Sequence, residues 1–208
     1  MSRTEDLKIK AVIFDLGNVL LNYNAHKAAN RFAHACKVPK TRLWDHFFTS
    51  QVEKAYTRGK ITCREFYRHA KLCLKVPVDF QKFKFYWNDI FWENKGMDAL
   101  LARLKKKYPL YLISNTNKMH FDHIRAEFKI LRHFKKTFPS HEVGHRKPEP
   151  QIYKKVLKRI KLRPEETVFI DDIPKFVEGA QAVGMHAIRF RNKRQLEREL
   201  HKLGVTAG

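Results

Sequence analysis

Two apolar runs in this chain each stop at a carboxylate. Ala11-Val12-Ile13-Phe14 leads into Asp15-Leu16-Gly17-Asn18, and Thr167-Val168-Phe169-Ile170 leads into Asp171-Asp172. Short runs of β-branched and aromatic residues, flanked by lysine and turn residues, read as buried strands. An acid at the end of such a strand is delivered to the carboxyl edge of a sheet, where open α/β folds place their chemistry. Side by side, the two strands would bring Asp15, Asp171 and Asp172 to one edge. Three carboxylates cannot stay ionised together without a cation, so the expected companion is a hard divalent metal, most simply Mg2+, with an Asp free to act as nucleophile.

A third apolar run, Leu110-Tyr111-Leu112-Ile113, ends in Ser114-Asn115-Thr116-Asn117, and Lys147 sits in a loop between strand and helix patterns. Carboxylate nucleophile, hydroxyl donor, ammonium and metal-binding acids together make a phosphoryl-transfer set. Taken singly, each has a plainer explanation as a turn former, a helix cap or a loop residue. Their joint occurrence in compatible elements carries the reading.

The elements that must position these groups alternate strand and helix. A helix over 97–107 precedes the strand 110–113, and a strand near 136–138 precedes a loop over 141–150 and a helix to Ile160. The strand 167–170 is followed by a helix over 175–183 with Gly184 as its stop, then by a last strand near 186–190. Helices between strands imply right-handed crossovers and a parallel sheet, that is, a doubly wound, Rossmann-like α/β fold. From Asn22 to Trp92 the sequence gives no convincing strand. Ser50-x-x-Glu53 and Thr62-x-x-Glu65 have capping-box spacing, Asp79 can cap an aromatic helix over 80–91, and Gly59 and Pro77 supply breaks. The expected organisation is a small all-helical domain, 22–92, inserted after the first strand of a core formed by 1–21 and 93–208. Its aromatics, Phe47, Phe48, Phe66, Tyr67, Phe80, Phe83, Tyr86, Trp87 and Phe91, are mostly its core, with a few lining a cleft beneath it.

Composition bounds the partners. The 208 residues, 43% of them apolar, suit a globular protein with a full core. No apolar stretch has membrane-spanning length, and the acidic amino terminus lacks a signal core, so a cytoplasmic protein without a membrane partner is expected. Cys36, Cys63 and Cys73 form no C-x-x-C pair and read as reduced thiols. Lys+Arg 43 against Asp+Glu 21 gives a formal charge of +22, a field that attracts phosphorylated ligands. The basic residues are spread over many segments and fall between apolar positions at helical spacing, which favours a solvated face. A nucleic-acid surface, with bases stacked on the segment Lys82 to Trp87, is the alternative.

The order Asp15-Leu-Gly-Asn-Val, Ser114-Asn, Lys147-Pro-Glu-Pro and Asp171-Asp172 resembles the four motifs of the haloacid dehalogenase-like hydrolase superfamily, over nearly the whole chain. The helical insert corresponds to that family's helical cap. Val177-Glu178-Gly179-Ala180 and Gly184-Met185-x-Ala187-Ile188 are similar to the helix and strand after its fourth motif. Phe14-Asp15-Leu16-Gly17-Asn18-Val19-Leu20, and Gly59-Lys60-Ile61-Thr62 with Phe66 after it, resemble a branch that includes bacterial sugar-1-phosphate phosphatases. The resemblance implies an Mg2+-dependent phosphatase acting on a small phosphorylated metabolite such as a sugar phosphate. Asp15 would become an aspartyl phosphate; Asp15, the Gly17 carbonyl, Asp172 and, directly or through water, Asp171 would hold the metal. Ser114 Oγ and the Asn115 backbone N–H would bind phosphoryl oxygens, and Lys147 would add fixed positive charge.

One departure concerns the proton. Most phosphatases of this family carry a second Asp two residues after the nucleophile as general acid–base, and here that residue is Gly17, which is also free to adopt φ > 0. Losing such a group removes about 10²–10⁴-fold in rate. His26, the cap histidine His69 or water are the replacements the sequence offers. A catalytically weakened fold that binds polyanions is the competing reading. Family dehalogenases usually carry an aromatic residue at the position of Gly17, which disfavours that chemistry. Phe176 also stands where relatives often carry a polar residue.

Overall fold

Alternation along the first strand organises the sheet. In β1 (Ala11–Phe14) successive side chains point to opposite faces, Ala11 and Ile13 to one and Val12 and Phe14 to the other, and all four are fully buried. A strand with no polar face must be covered on both sides. The structure, a computed structural model, describes residues 8–206; residues 1–7, on which the expectation about a secretory leader rests, lie outside that range.

After β1 the chain forms β2 (Leu21–Tyr23) and a helical block: α1 (Ala25–Cys36), α2 (Lys40–Trp44), a π-helical turn over Asp45–Thr49, α3 (Gln51–Thr57), α4 (Cys63–Leu74) and α5 (Phe80–Asn88). It returns through β3 (Phe91–Glu93) to α6 (Met97–Leu104), β4 (Leu110–Ser114), α7 (Lys118–Glu127), β5 (Lys136–Pro139) and α8 (Ser140–Val143). α9 (Pro150–Ile160), β6 (Thr167–Asp171), α10 (Pro174–Gln181), β7 (His186–Arg189) and α11 (Lys193–Lys202) complete it.

The main sheet has the order β5-β4-β1-β6-β7, with every neighbouring pair parallel. Its register aligns the functional strand ends: Phe14 lies between Leu112 and Ile170, so Asp15, Ser114 and Asp171 emerge at the same edge. Val12, Phe14, Leu112 and Ile170 pack with Leu100, Phe121 and Leu196 on one face. Ala11, Ile13, Ile113 and Phe169 pack with Ile152, Tyr153 and Phe176 on the other. On α9, Ile152, Tyr153, Val156 and Leu157 are buried while Lys154, Lys155, Lys158 and Arg159 are exposed, as expected of a solvated basic face.

The helical block has its own core of rings. Phe47 meets Phe32 at 5.0 Å and Trp87 at 5.1 Å between centroids, and Phe66 stacks on Tyr56 at 4.4 Å. Thr62 and Glu65 close a full capping box, and the Asp79 carboxylate accepts from Lys82 N at 2.8 Å. Ser50 completes only half a box: its Oγ accepts from Glu53 N, while the Glu53 carboxylate turns away to Arg146.

Three sequence expectations need correction. β2 and β3 pair antiparallel, Leu21 with Glu93 and Tyr23 with Phe91, in a stretch read as strandless; each is three residues long and exists only through its distant partner. The aromatic helix stops at Asn88, because Asp89 leaves helical geometry with ψ 61 and the chain turns into β3. The loop after β5 begins with the short helix α8. No helix among the described residues is long and apolar enough to cross a membrane. Cys36, Cys63 and Cys73 are free thiols.

Candidate active site

Lys147 binds the floor of the site together. Its Nζ lies 2.6 Å from Asp15 Oδ1 and 2.5 Å from Asp171 Oδ2, and the side chain is wholly buried. The Asn115 side chain clasps the Lys147 backbone: Nδ2 donates to Lys147 O at 2.9 Å, and Lys147 N donates to Asn115 Oδ1 at 2.8 Å. The rings of Phe176 and Phe169 face the ammonium at 5.0 and 5.3 Å, so Phe176, buried at the start of α10, serves as a wall for this charge. Asp171 Oδ1 accepts from Ile173 N at 2.9 Å, and Asp15 N donates to Ile170 O at 2.8 Å. Asn18, in left-handed conformation at φ 54, points Nδ2 at Asp172 Oδ2, 3.3 Å away. The left-handed residue of this loop is therefore Asn18, and Gly17 does not have positive φ.

Burial pushes the Asp15 carboxyl up from the ordinary range, against the pull of Lys147 and with help from Asp171. For Lys147 burial works to lower the pKa, but Asp15 and Asp171 outweigh it and hold the ammonium charged. Asp172 is raised by burial, with the Asn18 bond opposing. Oxygens of Asp15, Asp171 and Asp172 all lie within 4.8 Å of one another. One ammonium cannot balance three carboxylates at that spacing, and an all-oxygen donor set of this charge fits a hard divalent cation.

Above the floor is a cavity of about 270 Å³, with Asp15, Ser114, Asn115 and Lys147 at one end and Phe48, Trp87 and Phe91 toward the helical block. Ser114 is buried at the end of β4. His120, in the first turn of α7, stacks on Trp87 at 4.9 Å and meets the edge of Phe91 at 5.1 Å. Its Nδ1 is buried without a hydrogen-bond partner, and burial pushes its pKa down to about 3, so the ring is neutral. Arg146 Nη1 reaches Glu53 Oε2 at 2.9 Å, an ion pair joining the loop beside Lys147 to α3.

Further contacts seat the helical block on the sheet domain. Ser140 Oγ accepts from Thr116 N at 3.0 Å and lies 2.6 Å from Thr57 O. Gly59, at φ +70, passes so close to the core that a Cβ there would stand 2.1 Å from His141 O.

The structure thus brings Asp15, Gly17, Ser114, Asn115, Lys147 and Asp172 to one cavity, with Asp171 beneath through Lys147. The histidines suggested as proton donors are not among them. His26 is exposed and stacked on Trp44 at 4.6 Å, His69 is exposed on α4, and neither lines the cavity. Asn18, Tyr23, Glu53, Arg146 and His120 escaped the sequence reading. Glu53 was visible only as a capping residue, and the spacing Asn117-x-x-His120 was available as an N-cap signal, since Asn117 Oδ1 accepts from His120 N at 3.0 Å.

A family model for haloacid dehalogenase-like hydrolases matches residues 9–184. The chain belongs to the haloacid dehalogenase-like hydrolase family. This hydrolase is 26% identical over 200 residues to the D-ribitol-5-phosphate phosphatase of Bacteroides thetaiotaomicron, a match that covers 92% of this chain and 97% of the relative. It is 27% identical over 197 residues to the sesquiterpene phosphatase astK of Aspergillus oryzae, covering 93% of this chain and 96% of that one. A HAD family enzyme from Bacteroides thetaiotaomicron, solved in complex with magnesium and inorganic phosphate, superposes with a TM-score of 0.80 at 29% identity, over 88% of this chain and 95% of that one.

Proposed function

We propose that this hydrolase is an Mg2+-dependent phosphatase that cleaves a small phosphate monoester through an aspartyl phosphate on Asp15. The observation that carries it is the cluster of Asp15, Asp171 and Asp172, two of them paired with the buried Lys147 ammonium, at the edge of the cavity. Asp15, the Gly17 carbonyl, Asp172 and Asp171 are the residues that would hold Mg2+. Bound there, the dication supplies charge that cancels the repulsion between a carboxylate and a phosphate ester.

In this reading an Asp15 oxygen attacks phosphorus, and the phosphoryl group moves to Asp15 as the alcohol departs. Water then hydrolyses the acyl phosphate and regenerates the carboxylate. Ser114 Oγ and the Asn115 backbone N–H bind the phosphoryl oxygens, while the Asn115 side chain holds the loop that carries Lys147. The Lys147 ammonium, fixed by two carboxylates, needs no reorganisation as charge spreads in the transition state.

The helical residues 22–92 form the cap and 1–21 with 93–208 the core, the junction running through the β2–β3 ribbon. The separate aromatic cluster of the helical block supports that division. A phosphorylated sugar or polyol is the favoured substrate class, supported by the named activity of the Bacteroides relative and by the polar pair Glu53–Arg146 in the cavity. The lysines of α9 alternate with buried apolar residues as on a solvated amphipathic helix, and the free thiols support a cytoplasmic location.

The test is phosphate release from a panel of sugar, polyol and aryl phosphates, with Mg2+ and with a chelator. Turnover of at least one ester, lost on chelation, is expected. Activity indifferent to the chelator, or none on any ester, overturns the proposal.

A further inference from the structure

Breaking a P–O bond leaves negative charge on the departing oxygen, and something in the cleft must meet it. Most donors that line the cavity are already committed. Lys147 is spent between Asp15 and Asp171, and Arg146 on Glu53. Tyr56 Oη donates to Cys63 Sγ at 3.2 Å, and Thr57 Oγ1 donates to Glu53 O at 3.0 Å. Ser114 and Asn115 belong to the phosphoryl end.

Tyr23 is different. It is the last residue of β2, in the ribbon that leads from the sheet edge to the helical block, and it lines the same cavity as Asp15 and Asp172. Its ring leans on Phe91, its partner in the ribbon, at 6.2 Å. On the other side it fills the space over Gly17: a Cβ at Gly17 would stand 3.0 Å from Tyr23 Cε1 and 3.4 Å from Cδ1. Since Gly17 does not have positive φ, the missing side chain answers a need for room, and what occupies the room is a phenol ring. Tyr23 keeps 41% of its surface exposed, and an ordinary phenol is an O–H donor at neutral pH.

We propose that Tyr23 meets the leaving group, its hydroxyl donating a hydrogen bond to the ester oxygen as the P–O bond breaks. The inference rests on the phosphatase reading above. In the step, an Asp15 oxygen forms the new bond to phosphorus and the ester P–O pair passes to the departing oxygen. That oxygen is held by the Tyr23 O–H and takes its proton from solvent water as the alcohol leaves. Gly17 is the positioning residue, because a Cβ there would stand 3.0 Å from the ring and push it aside by a few tenths of an ångström.

The test compares Tyr23→Phe and Gly17→Ala with wild type on a series of substituted phenyl phosphates of graded leaving-group acidity. The quantity followed is kcat/KM, which includes every step through alcohol release. For unsubstituted phenyl phosphate Tyr23→Phe should lose roughly a hundredfold, the scale of one donor removed from a developing oxyanion, and for p-nitrophenyl phosphate less than about threefold. Gly17→Ala, by displacing the ring, should steepen the dependence in the same direction. Melting curves and Mg2+ affinity of Tyr23→Phe should match wild type. An equal loss on all esters, or none, in folded Tyr23→Phe overturns the role of Tyr23 while leaving the phosphatase reading intact. Absence of Mg2+-dependent turnover in wild type overturns both.

Discussion

At the sheet edge, Lys147 Nζ stands 2.6 Å from Asp15 and 2.5 Å from Asp171, and bonds from Asn115, Asn18 and the backbone at Ile173 fix the charged groups around it. Across the cavity, Phe47, Phe66 and Trp87 meet ring on ring, and the polar residues there, Glu53 and His120, come from helices far apart in the chain. The floor is held by compensated charge, whose interactions are strong in a dry site and costly when one partner is missing. The roof is held by apolar area and ring contacts, each modest and collectively large. On the proposed function, the difference assigns the reaction and the choice of alcohol to separable halves of the cleft: one set by strand ends, the other by packing between helices.

Lys147→Met breaks the floor, and should have the largest effect. Turnover should fall by about 10²–10³-fold, the scale for removing a preorganised charge from the transition state. Two buried carboxylates would also lose their partner, so stability without Mg2+ should drop by about 3–5 kcal/mol, part of it regained on adding Mg2+. Chemical denaturation with and without the ion checks this. Equal stability in both conditions would show that the carboxylates do not form a cation site.

Phe66→Ala breaks the roof instead. Phe66 is fully buried and stacked on Tyr56, so the substitution should cost about 3–5 kcal/mol. Yet a minimal donor such as acetyl phosphate, which needs little from the roof, should be hydrolysed within about tenfold of wild type where the variant is folded, less than the loss of one preorganised donor produces. Denaturation curves alongside rates on acetyl phosphate and on the best organic ester separate the two effects. A loss as large on acetyl phosphate as on the ester would collapse the distinction between floor and roof.

The same divide explains what the sequence revealed. β1, β4 and β6 are legible because each is an uninterrupted apolar run ending in a polar group, so Asp15, Ser114 and Asp171-Asp172 announce both the sheet and its reactive edge. β2 and β3 are illegible because three residues carry no period, and their pairing depends on the helical block between them. Tyr23 escapes for the same reason, since the ribbon brings its ring to Gly17. Glu53 matched a capping box, but its carboxylate serves a tertiary ion pair with Arg146. His120 lies on a helix with a local cap in Asn117, but its place against Trp87 is a tertiary fact. Local pattern thus locates the floor, whereas the roof requires the fold.

The most direct test of the account is chemical capture of the intermediate. Enzyme mixed with a good ester and Mg2+, then quenched in acid within the first turnover, should yield by mass spectrometry a peptide containing Asp15 with one added phosphoryl group. That adduct should be absent with chelator and absent in Asp15→Asn, which should remain folded. Turnover that proceeds with no adduct under any quench, or a phosphoryl group recovered on a different residue, would contradict the assignment of Asp15 as the nucleophile.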